Sequence, residues 1–568
     1  MIKIFQEENQ LRLAVSGTDF TGNIQLIKSI TGRKFNPQTK FWYVPDNAVS
    51  REALKGYFDG DSDEESEFEI DQTWKQIPID APDFMYHFQK DSLRYVKRHN
   101  NRALLGLPMG SGKTLIALSF ILSQSQDRPS LVICPASVKR GFERDYKKFF
   151  PNETKQITLL KGINSLTYYS EPNIYVVNYE ILSRNIVKTV IEYKTKYGKT
   201  KTRTIFKPSE NLLQFISSNF NTIIVDECHK LKNKESQIYQ AFTYLQQETK
   251  NVIAMSGTPI LSKPSDLWPM MSILQPEVFS HEYWYLNRFC NPTSTFIGKG
   301  RRITTYNGVT RPKELNALLM NNGMLVYNKQ EIMPELPEFE RIVVPLECEN
   351  VAEYLEYREE LLGQIAKNPS MALAMIEKLK QAAVNQKMAM VYDFIDNFIE
   401  SGEKFPVFAI HQYIVDAIAD RYKEKAVKFY GNSSDKQKEQ SRISFIEDPN
   451  VQIIVGNIQS LGTGVDGLQK SGASFMLTIE LPWNPAEMDQ ADSRLYRSGY
   501  TQDRGIKSYV LVAEETIEAE IVEKLDLKKD TTHKVLVGES ADSTSLLQYL
   551  IDTYKEEAEN RKVVPIGR

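Results

Sequence analysis

The segment Leu107-Pro108-Met109-Gly110-Ser111-Gly112-Lys113-Thr114 has the residue types of a phosphate cradle. Gly110, Ser111 and Gly112 let successive main-chain N–H groups turn inward around an anion. Lys113 neutralises the outer phosphates, and the Thr114 hydroxyl is placed to hold Mg²⁺. Leu107 stands where the usual pattern has its first glycine. A second group lies in "IIVDECHK", where Asp226 and Glu227 follow an apolar strand. Adjacent carboxylates at such a strand end divide the work of a nucleotide hydrolase: Asp226 holds the metal, and Glu227 orients and deprotonates the attacking water. "AMSGTPI" adds Ser256 and Thr258, small hydroxyl residues that can link the hydrolysis site to a bound partner. Upstream of the loop, Phe88 and Gln89 suggest an amide that reads an adenine edge. Far along the chain, "QADSRLYRSG" carries Gln490, Arg494 and Arg497. The two arginines, three apart, are expected on one helix face, and a guanidinium suits the transition-state oxygens of a phosphoryl group. Just before them, "SLGTGVDG" offers Asp466 to a ribose hydroxyl.

These groups need scaffolds that bring distant segments together. "RALLGL" before the glycine loop reads as a buried strand and "TLIALSFIL" after it as a helix, which puts a helix N-terminus at the anion. "SLVICP", "IYVVNYE", "NTIIVDE" and "NVIAMSG" alternate with helical patterns, the signature of a parallel α/β lobe. A long helical stretch runs from about 350 to 400. "PVFAIH", "AVKFYG", "VQIIVGN", "FMLTIEL" and "KSYVLVA" then imply a second such lobe. The expected fold is α/β, two parallel-sheet lobes forming a motor beside a small N-terminal α+β module.

Residues 59–71 hold eight carboxylates in thirteen positions, a run that repels itself and reads as a linker. The expected division is a module at 1–58, an acidic linker at 59–75, a first lobe at 76–345, a helical bridge at 346–400, a second lobe at 401–530 and a tail at 531–568.

With 568 residues, 41% of them hydrophobic, the chain has room for several cores. Its 70 basic and 73 acidic residues give a net charge of −3, so binding to nucleic acid requires a local basic surface. Cys134, Cys228, Cys290 and Cys348 form no C-x-x-C pair, which argues against a zinc site or a disulfide framework and for a reducing compartment. The start lacks an apolar signal region and no run of 18 apolar residues occurs, so a protein neither secreted nor membrane-spanning is expected, cytoplasmic in a prokaryotic or phage-infected cell or located wherever the DNA is.

Gln89, GSGKT, CPAS (134–137), DECH, SGTP, LGTGVD and QADSRLYR occur in the order of a superfamily-two helicase motor. "VDECHKLKN", "SGTPILSKPSDLW", "LPWNPAEMDQADSRLYRSGYTQ" and "EETIEAEIVEKL" resemble the Swi/Snf-type ATPases in particular. The resemblance spans about residues 80–530. It implies two RecA-like lobes with ATP and Mg²⁺ in the cleft and movement along duplex DNA. Carried over by position, it gives phosphate and metal binding to Lys113 and Thr114, metal and water to Asp226 and Glu227, arginine fingers to Arg494 and Arg497, and a DNA contact to Ser137. Three positions depart from the family pattern: Leu107-Pro108 replaces an acidic pair, Asp466 replaces asparagine, and Tyr327-Asn328 replaces paired arginines. "IKSITGRKFNPQTKFWYVP" (27–45) resembles the HARP module of annealing helicases, which rewind DNA and remodel forks, and "RFCNP" and "ELNALL" resemble the same branch. Within that module Lys34 and Trp42 are candidates for phosphate contact and base stacking.

"IEYKTKYGKTKTRTIF" (191–206) alternates with period two on both sides of Gly198, a hairpin pattern with Lys194 and Lys196 on one face and Lys199, Lys201 and Arg203 on another. "GKGRRI" (298–303) is a shorter version. The expected function is ATP-driven translocation on double-stranded or forked DNA, with other replication or repair proteins as further partners. The alternatives are an RNA helicase or restriction-type motor subunit, and, from another class, a nucleotide-gated DNA-binding protein.

Overall fold

The computed structural model describes residues 2–7, 10–15, 26–36, 41–47, 49–51, 53–54, 69–124, 127–194, 200–257, 263–296, 302–306, 308–333, 335–431, 433–465, 467–497, 499–500, 502, 504–522 and 546–561. Two parallel sheets organise the chain. The first has seven strands in the order Met324–Val326, Arg102–Gly106, Asn251–Ser256, Thr222–Asp226, Ser130–Cys134, Ile174–Asn178 and Ile157–Leu159. The second has six, in the order Phe339–Leu346, Ile506–Ala513, Phe475–Thr478, Phe405–Ala409, Ile453–Asn457 and Ala426–Phe429. Every residue of Ser130–Cys134, Thr222–Asp226 and Phe405–Ala409 is buried, because helices cover both faces of a parallel sheet. That is why these strands read as unbroken apolar runs rather than alternating ones. The expected α/β architecture of two parallel-sheet lobes is present.

The expected boundaries shift. The first lobe is expected to end at 345, yet strand Phe339–Leu346 pairs in parallel with Ile506–Ala513 at the edge of the second sheet. Helices Val351–Lys367 and Ala372–Glu400 do not bridge the lobes; they pack into the second. Tyr354, Leu361, Met375 and Leu379 share a core with Phe408, Ile454 and Met476, while Val391 and Ile395 join Phe405, Ile453 and Phe475. Two lysines on this long helix are fully enclosed. Lys387 Nζ donates to the carbonyls of Ile479 and Leu511 and to Glu518 Oε2, each at 2.6 Å, and Lys380 Nζ donates to the Leu481 carbonyl at 2.7 Å. A buried ammonium survives only when its protons are matched in this way. The helix Leu546–Arg561, expected as part of a separate tail, buries Leu550, Tyr554 and Ala558 in the same core, and Arg358 reaches Glu557 at 2.9 Å.

At the N-terminus an antiparallel sheet in the order Ile2–Glu7, Gln10–Val15, Phe41–Pro45 and Lys34–Asn36 forms the expected small α+β unit. Its buried Leu11, Leu13, Ile27, Val44 and Leu54 fall in one contiguous apolar cluster with residues of the first lobe. Linker residues 59–68 lie outside the described residues. The rest of the expected linker is docked rather than extended: Asp71 N–H donates to Asn321 at 2.8 Å, and Trp74 is buried edge-on against Tyr95. The expected hairpin is present, Ile186–Lys194 pairing antiparallel with Thr200–Pro208. A second hairpin joins Pro292–Phe296 to Arg302–Tyr306. Among the described residues no helix is long and apolar enough to cross a membrane.

Candidate active site between the lobes

Leu107 is fully buried, and its N–H donates to the Ser256 carbonyl at 3.0 Å. It prolongs the strand Arg102–Gly106 by one residue, so the turn begins later and needs no glycine there. The turn itself does. Gly110 and Gly112 adopt φ of +83° and +78°, a region that disfavours side chains. A Cβ on Gly112 would stand 2.6 Å from Gln89 Nε2, and one on Gly110 would stand 2.8 Å from Cβ of Arg497. Gly112 caps the helix Lys113–Ser123. The Ser111 hydroxyl is buried with no partner among the described residues, and Lys113 Nζ donates to the Leu107 carbonyl at 3.0 Å. An unmet buried hydroxyl, a helix N-terminus and a lysine folded over the loop together fit an anion.

Gln89 Oε1 accepts the N–H of Tyr86 at 3.0 Å and its Nε2 donates to the Ser111 carbonyl at 2.8 Å. The amide expected to read an adenine edge lines the cleft and, through these bonds, braces the glycine loop. Phe84 and Tyr86, which the sequence reading passed over, are each 55% exposed and line the cleft with flat aromatic faces.

Opposite the loop, Asp226 ends the strand Thr222–Asp226, and Glu227 takes φ of +53°, an uncommon conformation for a residue with a side chain. That turn points both carboxylates into the cleft. Burial and the neighbouring Glu227 push the Asp226 carboxyl up, against the pull of Lys113. Burial acts upward on Glu227 as well, but the hydrogen bond with His229, the charge of Lys113 and the Ser256 hydroxyl outweigh it and hold the group ionised. Ser256 Oγ lies 3.0 Å from His229 Nδ1 and donates to Glu227 Oε2 at 3.3 Å. Two adjacent carboxylates facing Lys113 at the end of a strand are placed for a metal ligand and a group that orients water. Mg²⁺ typically takes one or two carboxylates and leaves the rest to phosphates and water, and Asp226 with Thr114 is such a sparse set.

The second lobe contributes from the segment after helix Pro485–Asp492. The arginines do not share a helix face as expected, since the helix ends at Asp492 and both lie in the turn that follows. Arg494 is tied into its own lobe, Nε donating to the Gly462 carbonyl and Nη1 to the Val465 carbonyl, each at 2.6 Å. Arg497 is the one that leans over Gly110 of the other lobe. Gln490 sits on the helix and is half-buried, away from the cleft lining. Asp466 and Thr258 lie outside the described residues.

The cleft between the lobes has a volume of about 2000 Å³. Its lining includes thirteen lysines and arginines against five carboxylates. From the first lobe come Ser137, Arg140, Lys161 and Arg184; from the second, Lys438, Arg442 and Lys470. Apart from Ser137 these were missed, because isolated basic residues on helices and turns carry no motif. Lys34 and Trp42 lie in the N-terminal sheet, where Phe35 is exposed and packs on Trp42 at 4.8 Å. The strands of the 186–208 hairpin include Lys194, Lys201 and Arg203, whose side chains lie outside the description, as do Lys196 and Lys199 altogether.

The chain spans between 40% and 62% of the length of the curated relatives it matches. It is 24% identical over 462 residues to the human DNA annealing helicase and endonuclease ZRANB3, covering 79% of this chain and 40% of that one. To the SWI/SNF-related matrix-associated actin-dependent regulator of chromatin subfamily A-like protein 1 of Xenopus laevis it is 27% identical over 444 residues, covering 76% and 42%. Among solved structures, the Sulfolobus solfataricus SWI2/SNF2 ATPase core in complex with dsDNA aligns with a TM-score of 0.37 at 23% identity, over 87% of this chain and 99% of that one. The model of the SNF2-related domain matches residues 84–395, more than half of the chain, which holds the glycine loop and the acid pair; the protein belongs to the SNF2-related family.

Proposed function

We propose that this protein is an ATP-hydrolysing motor that moves along double-stranded or forked DNA. The observation that carries the reading is the approach of Arg497 to Gly110, which surrounds one cleft with a glycine loop, an acid pair and an arginine from the opposite lobe. ATP with Mg²⁺ supplies the phosphoryl group and the cation that screens it. Main-chain N–H groups of 110–113 and Lys113 hold the phosphates, Thr114 and Asp226 hold the metal, and Phe84 and Tyr86 give the base an apolar surface. Glu227 accepts the proton of the attacking water, and Arg497 faces the charge that develops on the transferred oxygens. Arg494 caps the C-terminal end of helix Ile458–Gly464 beside them.

DNA is supported as the track by the excess of basic side chains in the cleft, which suits a phosphate backbone even though the whole chain is slightly acidic. Ser137 lines the same cleft, and the basic hairpin and the N-terminal Lys34 and Trp42 are further candidate contacts. Likeness to an annealing helicase makes rewinding and fork remodelling the activity to test. ATPase rates measured with duplex DNA, forked DNA, single-stranded DNA and RNA decide the track. Stimulation by duplex and fork is expected, whereas stimulation by RNA alone would overturn the reading. A chain lacking residues 1–58, checked by its melting curve, is expected to keep duplex-stimulated turnover and lose preference for forks.

A further inference from the structure

Tyr327 and Lys329 follow Met324–Val326, the edge strand of the first sheet, and precede Phe339–Leu346, the edge strand of the second. At one end the Tyr327 N–H donates to the Gly106 carbonyl at 3.0 Å, on the strand that feeds the glycine loop, and its ring meets Phe88 edge-on at 6.2 Å. Two residues later Lys329 begins a single helical turn and sends its amine into the second lobe. Nζ donates to the main-chain carbonyl of Tyr496, lies 3.4 Å from Ser493 Oγ and sits 4.2 Å over the Tyr496 ring. Tyr496 is itself stacked on Phe339 at 4.8 Å, and its neighbour in sequence is Arg497. The contacts thus close a circuit from Gly106 through Tyr327, Lys329 and Tyr496 to Arg497 and back to Gly110.

We infer that Lys329 is a positioning residue, which pins the 493–497 turn against the first lobe and so makes the placement of Arg497 over the glycine loop depend on lobe closure. The inference rests on the reading of the cleft as an ATPase site.

The surroundings of this amine make its contact sensitive to protons. Burial pushes the Lys329 pKa down to about 7, with Arg497 and Lys113 acting in the same direction and Asp492 and Asp489 opposing. Those two acids are shared with Arg341, which bonds Asp489 at 2.9 Å and also Asp492. Tyr496 faces the amine with its ring and its carbonyl. With the lobes apart, the amine in water returns to about 10.4. Closure therefore releases a proton between these values. It becomes more favourable as pH rises through that window, by at most about tenfold per pH unit, and is insensitive to this group below about 7.

Small-angle scattering of the nucleotide-free protein between pH 6.5 and 9, with kcat and KM of the DNA-stimulated ATPase, tests this for wild type, Lys329→Ala, Lys329→Gln and Lys329→Arg. Wild type is expected to become more compact as pH rises. Lys329→Ala should stay expanded at every pH and lose roughly tenfold in kcat, with KM for ATP within about twofold, since a misplaced arginine affects the transition state rather than binding. Lys329→Gln keeps a neutral donor and should recover most of both without the pH dependence. Lys329→Arg cannot shed its charge beside Arg497 and should not rescue. Wild-type compaction and kcat in Lys329→Ala, or full rescue by arginine, would overturn the inference. If wild type hydrolyses no ATP, the ATPase reading fails, and the scattering series still decides the role of Lys329.

Discussion

In the first lobe Arg288 and Glu314 pair inside the lobe, but Lys113, Asp226 and Glu227 meet at the open end of the sheet and act on one another across the cleft. In the second lobe the enclosed ionisable groups are matched inside the lobe. Lys387 is locked to Glu518 and two carbonyls, Glu480 accepts the N–H groups of Ile410 and His411, and Asp492 accepts from Arg341 and Ser508. Both lobes are parallel α/β layers, so the difference does not come from the fold. One lobe keeps charge available for a ligand. The other uses charge to stiffen a platform that presents Arg497.

The contrast breaks most visibly at the glycine loop. Lys113→Ala should weaken ATP binding and abolish hydrolysis, and Glu227→Gln should keep binding while turnover falls by about 10²–10⁴-fold, both read by nucleotide titration and steady-state ATPase. A variant that unfolds instead would make these residues part of the scaffold, like Lys387.

Arg497→Ala should reduce kcat on the order of 10³ and spare ATP affinity. Arg494→Ala should act first on its own lobe, freeing the carbonyls of Gly462 and Val465, with faster amide exchange across 462–465 and a smaller loss of kcat. The opposite ranking would move the finger to Arg494.

Lys387→Ala should destabilise the second lobe by about 3–5 kcal/mol in chemical denaturation, because Glu518 is left charged and enclosed. Nucleotide affinity of the first lobe should be unchanged. Lys387→Met combined with Glu518→Leu should regain much of the loss.

The smallest effect concerns His411. Its hydrogen bond with Glu480 raises the imidazole pKa, against the effect of burial. That stabilisation is complete below the ordinary value of about 6.5 and fades as pH rises through the higher folded value. Between pH 6 and 8 the second lobe should lose about 1 °C in melting temperature, and His411→Gln should flatten the change.

Much of the first lobe was legible because its chemistry is contiguous: four residues of one loop and two adjacent carboxylates are visible without knowing the fold. The second lobe was less so. Arg494 and Arg497 look alike in sequence, and only the carbonyls of Gly462 and Val465, some thirty residues away, separate their roles. Nothing in the sequence marks Lys380 and Lys387 as enclosed, since the carbonyls that receive them belong to other segments. Strand Phe339–Leu346 alternates like an exposed edge and gives no sign of its partner, Ile506–Ala513. Lys329 has no motif of its own; its meaning comes from Tyr496, which only the folded chain brings near.

That edge pairing has a consequence for the order in which the molecule is made. During synthesis the first sheet can be completed once Met324–Val326 has emerged to join Arg102–Gly106. The second cannot. Strand Phe339–Leu346 must wait about 160 residues for its neighbour, and the helices 351–400 stay partly uncovered until Leu546–Arg561 arrives to bury Leu550 and Tyr554. A ribosome-bound chain therefore carries a finished nucleotide loop beside an apolar, unfinished half, the kind of intermediate that draws chaperones.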